Sequence, residues 1–168
     1  MPGSGDMVIY KNDAEGRASE AVRHADLIFC LDFHTMSRLD GLGDLITENQ
    51  HAKRILIDHH LSPMEDFDLM ISYPEASSTC YMVALLVETM FGAESISKDM
   101  AVNIFVGMMT DTGNFAFSSV TPDVFRMVSV LASKGISIPE IHNNVYNSFT
   151  EGRARLFGYV INRKMKIF

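Results

Sequence analysis

The sequence has 168 residues, 47% of them hydrophobic and 21% charged, with a formal net charge of −7. That length supports a domain with its own core, and the acidic balance excludes the basic face with which proteins grip long nucleic acid. No stretch reaches the roughly 18 uninterrupted apolar residues of a membrane helix, and the opening Met1-Pro2-Gly3-Ser4-Gly5-Asp6 lacks the basic and apolar regions of a secretory signal.

Met7-Val8-Ile9-Tyr10 reads as a short strand, and Glu15 to His24 has helical spacing. Leu27-Ile28-Phe29-Cys30-Leu31 is a continuous apolar run ending at Asp32, the pattern of a strand buried on both faces of a parallel sheet. A short helix is expected from about Leu39 to Glu48. Arg54-Ile55-Leu56-Ile57 forms the next buried strand and ends at Asp58, and Phe67 to Ser72 is a further strand candidate. Asp66 and Asp68 read as members of a solvated loop.

From Ser77 the pattern turns helical. Ser77 or Ser78 can cap a helix to about Phe91 with Met82, Leu85, Leu86 and Met90 on one face. Ser97-Lys98-Asp99 starts a helix through Ala101, Ile104, Phe105 and Met108. A capping Thr121 followed by Pro122 starts another that stops near Gly135, and Ser137 with Glu140 spells a capping box. Thr150 opens a last helix toward Arg163. Cys30 and Cys80 read as buried reduced thiols, which suits a cytoplasmic setting and not a disulfide framework. The twelve methionines read as core filler. The fold class is therefore α/β: a Rossmann-like, mostly parallel sheet flanked by helices over residues 1–75, and a helical part over 76–163.

No GxGxxG loop or P-loop occurs, which argues against a dinucleotide or P-loop site. What remains is a set of acidic and imidazole residues at the ends of apolar segments. Asp32 ends the first run, Asp58-His59-His60 the second, and Asp111 follows Val106-Gly107-Met108-Met109-Thr110. In an open α/β sheet, ligands bind beyond the carboxyl ends of the strands, so Asp32 and the Asp-His-His run are expected on one rim. Mixed Asp/His ligation suits manganese, iron, cobalt or zinc. Two cations about 3.5–4 Å apart, sharing a carboxylate, activate water and stabilise the leaving oxygen of a phosphate ester. Simpler roles fit the same residues one at a time: a loop cap for Asp32, surface imidazoles for His59 and His60, a turn bond at Thr112-Gly113-Asn114 for Asp111. His24, His51 and His142 read as structural or exposed. His34, two residues past Asp32, stays open.

Three segments in order, LIFCLDF (Leu27 to Phe33), ILIDHH (Ile55 to His60) and GMMTDTGNF (Gly107 to Phe115), resemble the DHH phosphoesterase superfamily. Within it the chain looks most like the nanoRNase and pAp-phosphatase subfamily of NrnA-like proteins. Ser77-Ser78-Thr79 and the segment from Val145-Tyr146-Asn147 through Arg153, Leu156 and Gly158 fit as well. The resemblance implies that Asp32 bridges two metals, manganese by preference, and that His59 and Asp111 complete the second ion's protein ligands. It implies that His60 contacts substrate phosphate, that Asp58 holds the neighbouring imidazoles, and that Arg38, Ser77, Ser78 and Thr79 lie near the substrate. Asp32, His60 and Asp58 are thus the expected catalytic residues. The reaction implied is attack by metal-activated water on short oligoribonucleotides or on 3′-phosphoadenosine 5′-phosphate, with no covalent intermediate.

Two departures shape the expectation. The superfamily's first motif, a His followed by a DxD-type pair, has no match, nor does a C-terminal domain with a Gly-Gly-Gly-His-type loop. Residues 1–168 are therefore expected to be part of an N-terminal DHH domain of a longer enzyme, inactive or nearly so by themselves. Short RNA or a nucleotide is the expected partner, without membrane association, and a homodimer is compatible with the sequence. The alternatives are a non-catalytic metal- or nucleotide-binding module, or a pyrophosphatase, exopolyphosphatase or single-strand exonuclease of the same superfamily.

Overall fold

The computed structural model describes residues 1–166. They form two compact units, residues 1–136 and a second beginning at Ser137. In the first, strands β1 (Leu27–Leu31), β2 (Lys53–Asp58) and β3 (Leu69–Ser72) make a parallel sheet in that order. Helix α1 (Arg17–His24) precedes β1, and α2 (Gly41–Glu48) lies in the crossover to β2. Parallel neighbours need such a crossover, because a tight turn can only reverse the chain.

One sheet face is packed. Cys30, Phe33, Met36, Ile46 and Leu56 form a buried cluster, with Val22, Ile28, Leu42 and Met70 against it. The opposite face departs from the expectation that β1 is buried on both sides. Leu27, Phe29 and Leu31 are 47%, 52% and 44% exposed. Ile57, paired with Leu31 one strand inward, is 2% exposed. Cover reaches β2, on which α3 (Thr79–Phe91) packs, and among the described residues β1 is left as a largely open edge. The apolar run reports what the strand could bury, not whether a neighbour is there.

Met7 to Tyr10 is not a strand either. Val8 and Ile9 are exposed, and a short 3-10 turn spans Tyr10–Asn12. Strand-forming residues need a ladder to join, and the described residues offer none there. Asp68 is also more than a solvated loop residue: it takes Lys53 Nζ at 2.7 Å and the Arg54 amide at 2.9 Å, pinning β3 to the start of β2.

The helical part follows the sequence pattern closely. Helices α3, α4 (Lys98–Asp111) and α5 (Pro122–Ser133) bury Met82 and Ala84, then Ala101, Ile104, Phe105, Met108 and Met109, then Val124, Met127 and Leu131. Met90, expected on the apolar face of α3, is exposed because it lies in the last turn. A Cβ on Gly107 would collide with Cys80 Sγ, so this glycine sets how closely α4 approaches α3. Ser78 and Ser97 cap α3 and α4, accepting from the Tyr81 and Met100 amides. Thr121 does not cap α5 through its hydroxyl, since its own carbonyl already takes the Val124 N–H at 3.1 Å. In the second unit α6 (Ile138–Tyr146) starts where expected, but Ser137 has ψ 92° and its hydroxyl makes no capping bond. Helix α7 (Glu151–Arg163) is capped by Thr150 Oγ1.

Candidate metal centre

Asp32 sits immediately after β1, and its N–H reaches Ile57 O, extending the ladder by one bond. Its φ is +66°, the left-handed region, which Asp tolerates better than most residues. This turn places the carboxylate over the strand ends, where Thr79 Oγ1 donates to Asp32 Oδ1 at 2.8 Å. Thr79 is the first residue of α3, so sheet and helix meet at this carboxylate.

His59 and His60 leave β2 on opposite anchors. His59 Nδ1 lies 3.1 Å from Ala76 O, an acceptor only, so Nδ1 carries the proton and Nε2 presents a lone pair. That Nε2 is 3.1 Å from Asp111 Oδ2 and 3.7 Å from Asp32 Oδ1. His60 Nδ1 is 2.7 Å from Asp58 Oδ1, and the His60 amide donates to Asp58 Oδ2 at 3.1 Å. Asp58 is fully buried, and both its oxygens serve His60. Asp32, His59 and His60 each bring one donor atom within 4.8 Å of the others.

Asp111 ends α4. Burial pushes its carboxyl above its ordinary pKa, and the Asp32 carboxylate adds to the rise. A helix C-terminus carries partial negative charge, so two carboxylates and the end of α4 concentrate negative potential around one imidazole. A divalent cation neutralises that arrangement, and carboxylate plus neutral imidazole are its usual ligands. The donor set fits a metal. Both histidines are further fixed at Nδ1 by a carbonyl or carboxylate, the outer support that metal-binding imidazoles require.

The other expected residues are spread around this centre. Ser77 and Ser78 are buried, Ser78 serving as the α3 cap, and Ser77 Oγ has no hydrogen-bond partner among the described residues. Arg38 is exposed on the 3-10 turn Met36–Leu39. A cavity of 390 Å³ opens beside Asp32 and Asp111, walled by Leu31, Thr79, Cys80, Val83, Ile104 and Gly107. Burial raises the Cys80 thiol, and both carboxylates raise it further, so it stays protonated. Sequence reasoning misses the Ala76 carbonyl, which no residue type could reveal, and leaves His34 open, which the structure places beside His60. The His34 ring lies 5.5 Å from that of His60, inclined by 32°.

Residues 5–108 match the DHH family, N-terminal domain. That match stops short of Asp111, whose place in the centre rests on geometry. The chain is 33% identical over 87 residues to the bifunctional oligoribonuclease and PAP phosphatase NrnA of Thermus thermophilus, covering 52% of this chain and 26% of that protein. It is 28% identical over 121 residues to the A-adding tRNA nucleotidyltransferase of Aquifex aeolicus, covering 71% and 14%. The crystal structure of an exopolyphosphatase-related protein from Bacteroides fragilis superposes with a TM-score of 0.93 at 40% identity, covering all of this chain and 48% of that one. The chain thus spans less than half the length of these proteins.

Proposed function

Because the chain belongs to the DHH family of metal-dependent phosphoesterases, we propose that its protein hydrolyses short oligoribonucleotides or 3′-phosphoadenosine 5′-phosphate with manganese. The observation that carries this reading is His59: its Nδ1 is committed to Ala76 O, and its Nε2 faces Asp111 and Asp32. Asp32, His59 and Asp111 would hold a divalent ion. Such ions activate water and neutralise charge on the phosphoryl group. Thr79 holds the Asp32 carboxylate in place. His60, with Nδ1–H on buried Asp58, has Nε2 free to take a proton from an attacking water or to face the substrate. Free cysteines suit a reducing, cytoplasmic compartment.

Small substrates suit the net charge of −7, since a long polyanion would be repelled. A second reading, hydrolysis of pyrophosphate or a short polyphosphate, draws on the likeness to the exopolyphosphatase-related structure. Incubation of the full-length protein with RNA of two to five residues, with 3′-phosphoadenosine 5′-phosphate and with pyrophosphate separates the readings. Release of mononucleotide with manganese is the expected result; no release from RNA or the bisphosphate with any divalent metal rejects the reading. Binding of manganese and nucleotide without turnover would instead mark a regulatory module. Asp32→Ala abolishes turnover, whereas His24→Ala, on α1, leaves it intact.

A further inference from the structure

We propose that Thr79 is a positioning residue of the metal centre, acting on the ion through Asp32 and not on the substrate phosphate. The inference rests on the reading of Asp32, His59 and Asp111 as metal ligands. It starts from how unevenly the side chains of the centre are held. His59 Nδ1 lies 3.1 Å from Ala76 O and His60 Nδ1 lies 2.7 Å from Asp58 Oδ1, so each ring has an anchor of its own. Asp32 has none nearby in the chain. It stands in a left-handed turn after β1, φ +66°, with its side chain 59% exposed. A carboxylate that open to water keeps its rotamer freedom unless another part of the chain restrains it. Among the described residues, the one hydrogen bond to it comes from Thr79 Oγ1, 47 positions further on, at 2.8 Å.

That hydroxyl is a fixed point. Thr79 is 5% exposed and opens α3 directly after Ser78, whose Oγ accepts the Tyr81 amide at 3.1 Å. Its branched Cβ restricts χ1. Both ends of the bond are also referred to one strand: α3 packs on β2, and the Asp32 N–H reaches Ile57 O on β2. The acceptor is Asp32 Oδ1, the oxygen that stands 3.7 Å from His59 Nε2. The hydroxyl therefore orients the oxygen that faces His59, and leaves it a second lone pair for a cation. A hydroxyl carries a single proton. With that proton on Asp32 Oδ1, Thr79 has no donor left for a phosphate oxygen. The Ser-Ser-Thr run thus divides its work: Ser78 starts the helix and Thr79 aims the carboxylate.

The test is titration of manganese into the chain, followed by the electron paramagnetic resonance signal of the free ion. Wild type is compared with Thr79→Val, Thr79→Ala, Thr79→Ser and the control Arg126→Ala, which loosens α5 from α3 at a distant pair; thermal transitions are recorded for all. Thr79→Val keeps the shape and removes the hydroxyl, and is expected to weaken manganese binding about tenfold or more, the usual effect of removing such a support. Thr79→Ala weakens it likewise, so a folding defect in one of the two leaves the other to decide. Thr79→Ser keeps the hydroxyl and stays close to wild type, and Arg126→Ala binds manganese as wild type does. Unchanged manganese affinity in Thr79→Val and Thr79→Ala overturns the inference, and a loss of inorganic phosphate binding at that unchanged affinity would make Thr79 a substrate contact instead. A loss in Thr79→Ser equal to that in Thr79→Val, or a parallel loss in Arg126→Ala, overturns it as well, since affinity would then follow packing and stability. Failure of the wild type to bind manganese overturns the metal-centre reading itself and the inference with it.

Discussion

At the residue scale, Asp58 and His59 illustrate two ways of fixing an imidazole, with separable consequences. The Asp58 carboxylate is fully buried and spends both oxygens on His60, while the Ala76 carbonyl fixes His59. Asp58→Asn keeps the shape but removes an acceptor, so His60 loses its orientation and His59 keeps its own. Turnover of the full-length protein should then fall roughly 10–100-fold, the usual effect of removing such a support, while manganese affinity holds. A parallel fall in manganese affinity would show that Asp58 supports the ion directly. The Asp-His-His run at the end of an apolar segment is enough to point to this rim of the sheet. The division of labour inside it is not legible in the sequence, because Ala76 acts through a backbone oxygen that every residue type possesses.

At the scale of elements, the sequence pattern succeeds where structure is local and fails where it depends on a neighbour. The helices α3, α4 and α7 begin at Ser78, Ser97 and Thr150 because a cap needs only its own first turn. The Met7–Tyr10 segment and the open face of β1 defeat the pattern because pairing and cover come from elsewhere in the chain. Contacts between helices are likewise invisible in sequence, as with Arg126 on α5, whose Nη1 and Nη2 donate to Glu88 on α3 at 2.9 and 2.8 Å. These bonds hold the Glu88 carboxyl below its ordinary pKa. A depressed carboxylate contributes stability above its unfolded pKa, and that contribution is lost as pH falls through the folded value. Arg126→Ala should therefore cost about 0.5–1 kcal/mol near neutral pH, as for a partly exposed pair, and the deficit should shrink on acidification below the ordinary carboxylate pKa. Urea denaturation of both proteins across that range measures it. A deficit independent of pH would assign the loss to packing of the arginine stem.

At the scale of the whole molecule, the open edge decides how the chain behaves in solution. Among the described residues strand β1 pairs only with β2, and Leu27, Phe29 and Leu31 stand half-exposed along this edge strand. Leu69, on the same face of β3, is 51% exposed. A flat apolar strand edge is a template for association, which proteins ordinarily blunt with charge, proline or a covering element. No charged residue lies within Leu27–Leu31. The 168-residue chain, 18.8 kDa by sequence, should therefore show a larger mass by light scattering as its concentration rises. Phe29→Lys places a charge at the centre of the face and should shift the population toward the monomer without moving the metal affinity, because Phe29 lies mid-strand in β1, three residues before Asp32, and does not line the cavity beside that carboxylate. Within a longer polypeptide, that polypeptide's own residues become an alternative cover, and Phe29→Lys would then cost folding stability instead of association. A wild-type chain that stays monomeric at tens of micromolar, with Phe29→Lys equally stable, would mean that the exposed face of β1 is tolerated as it stands.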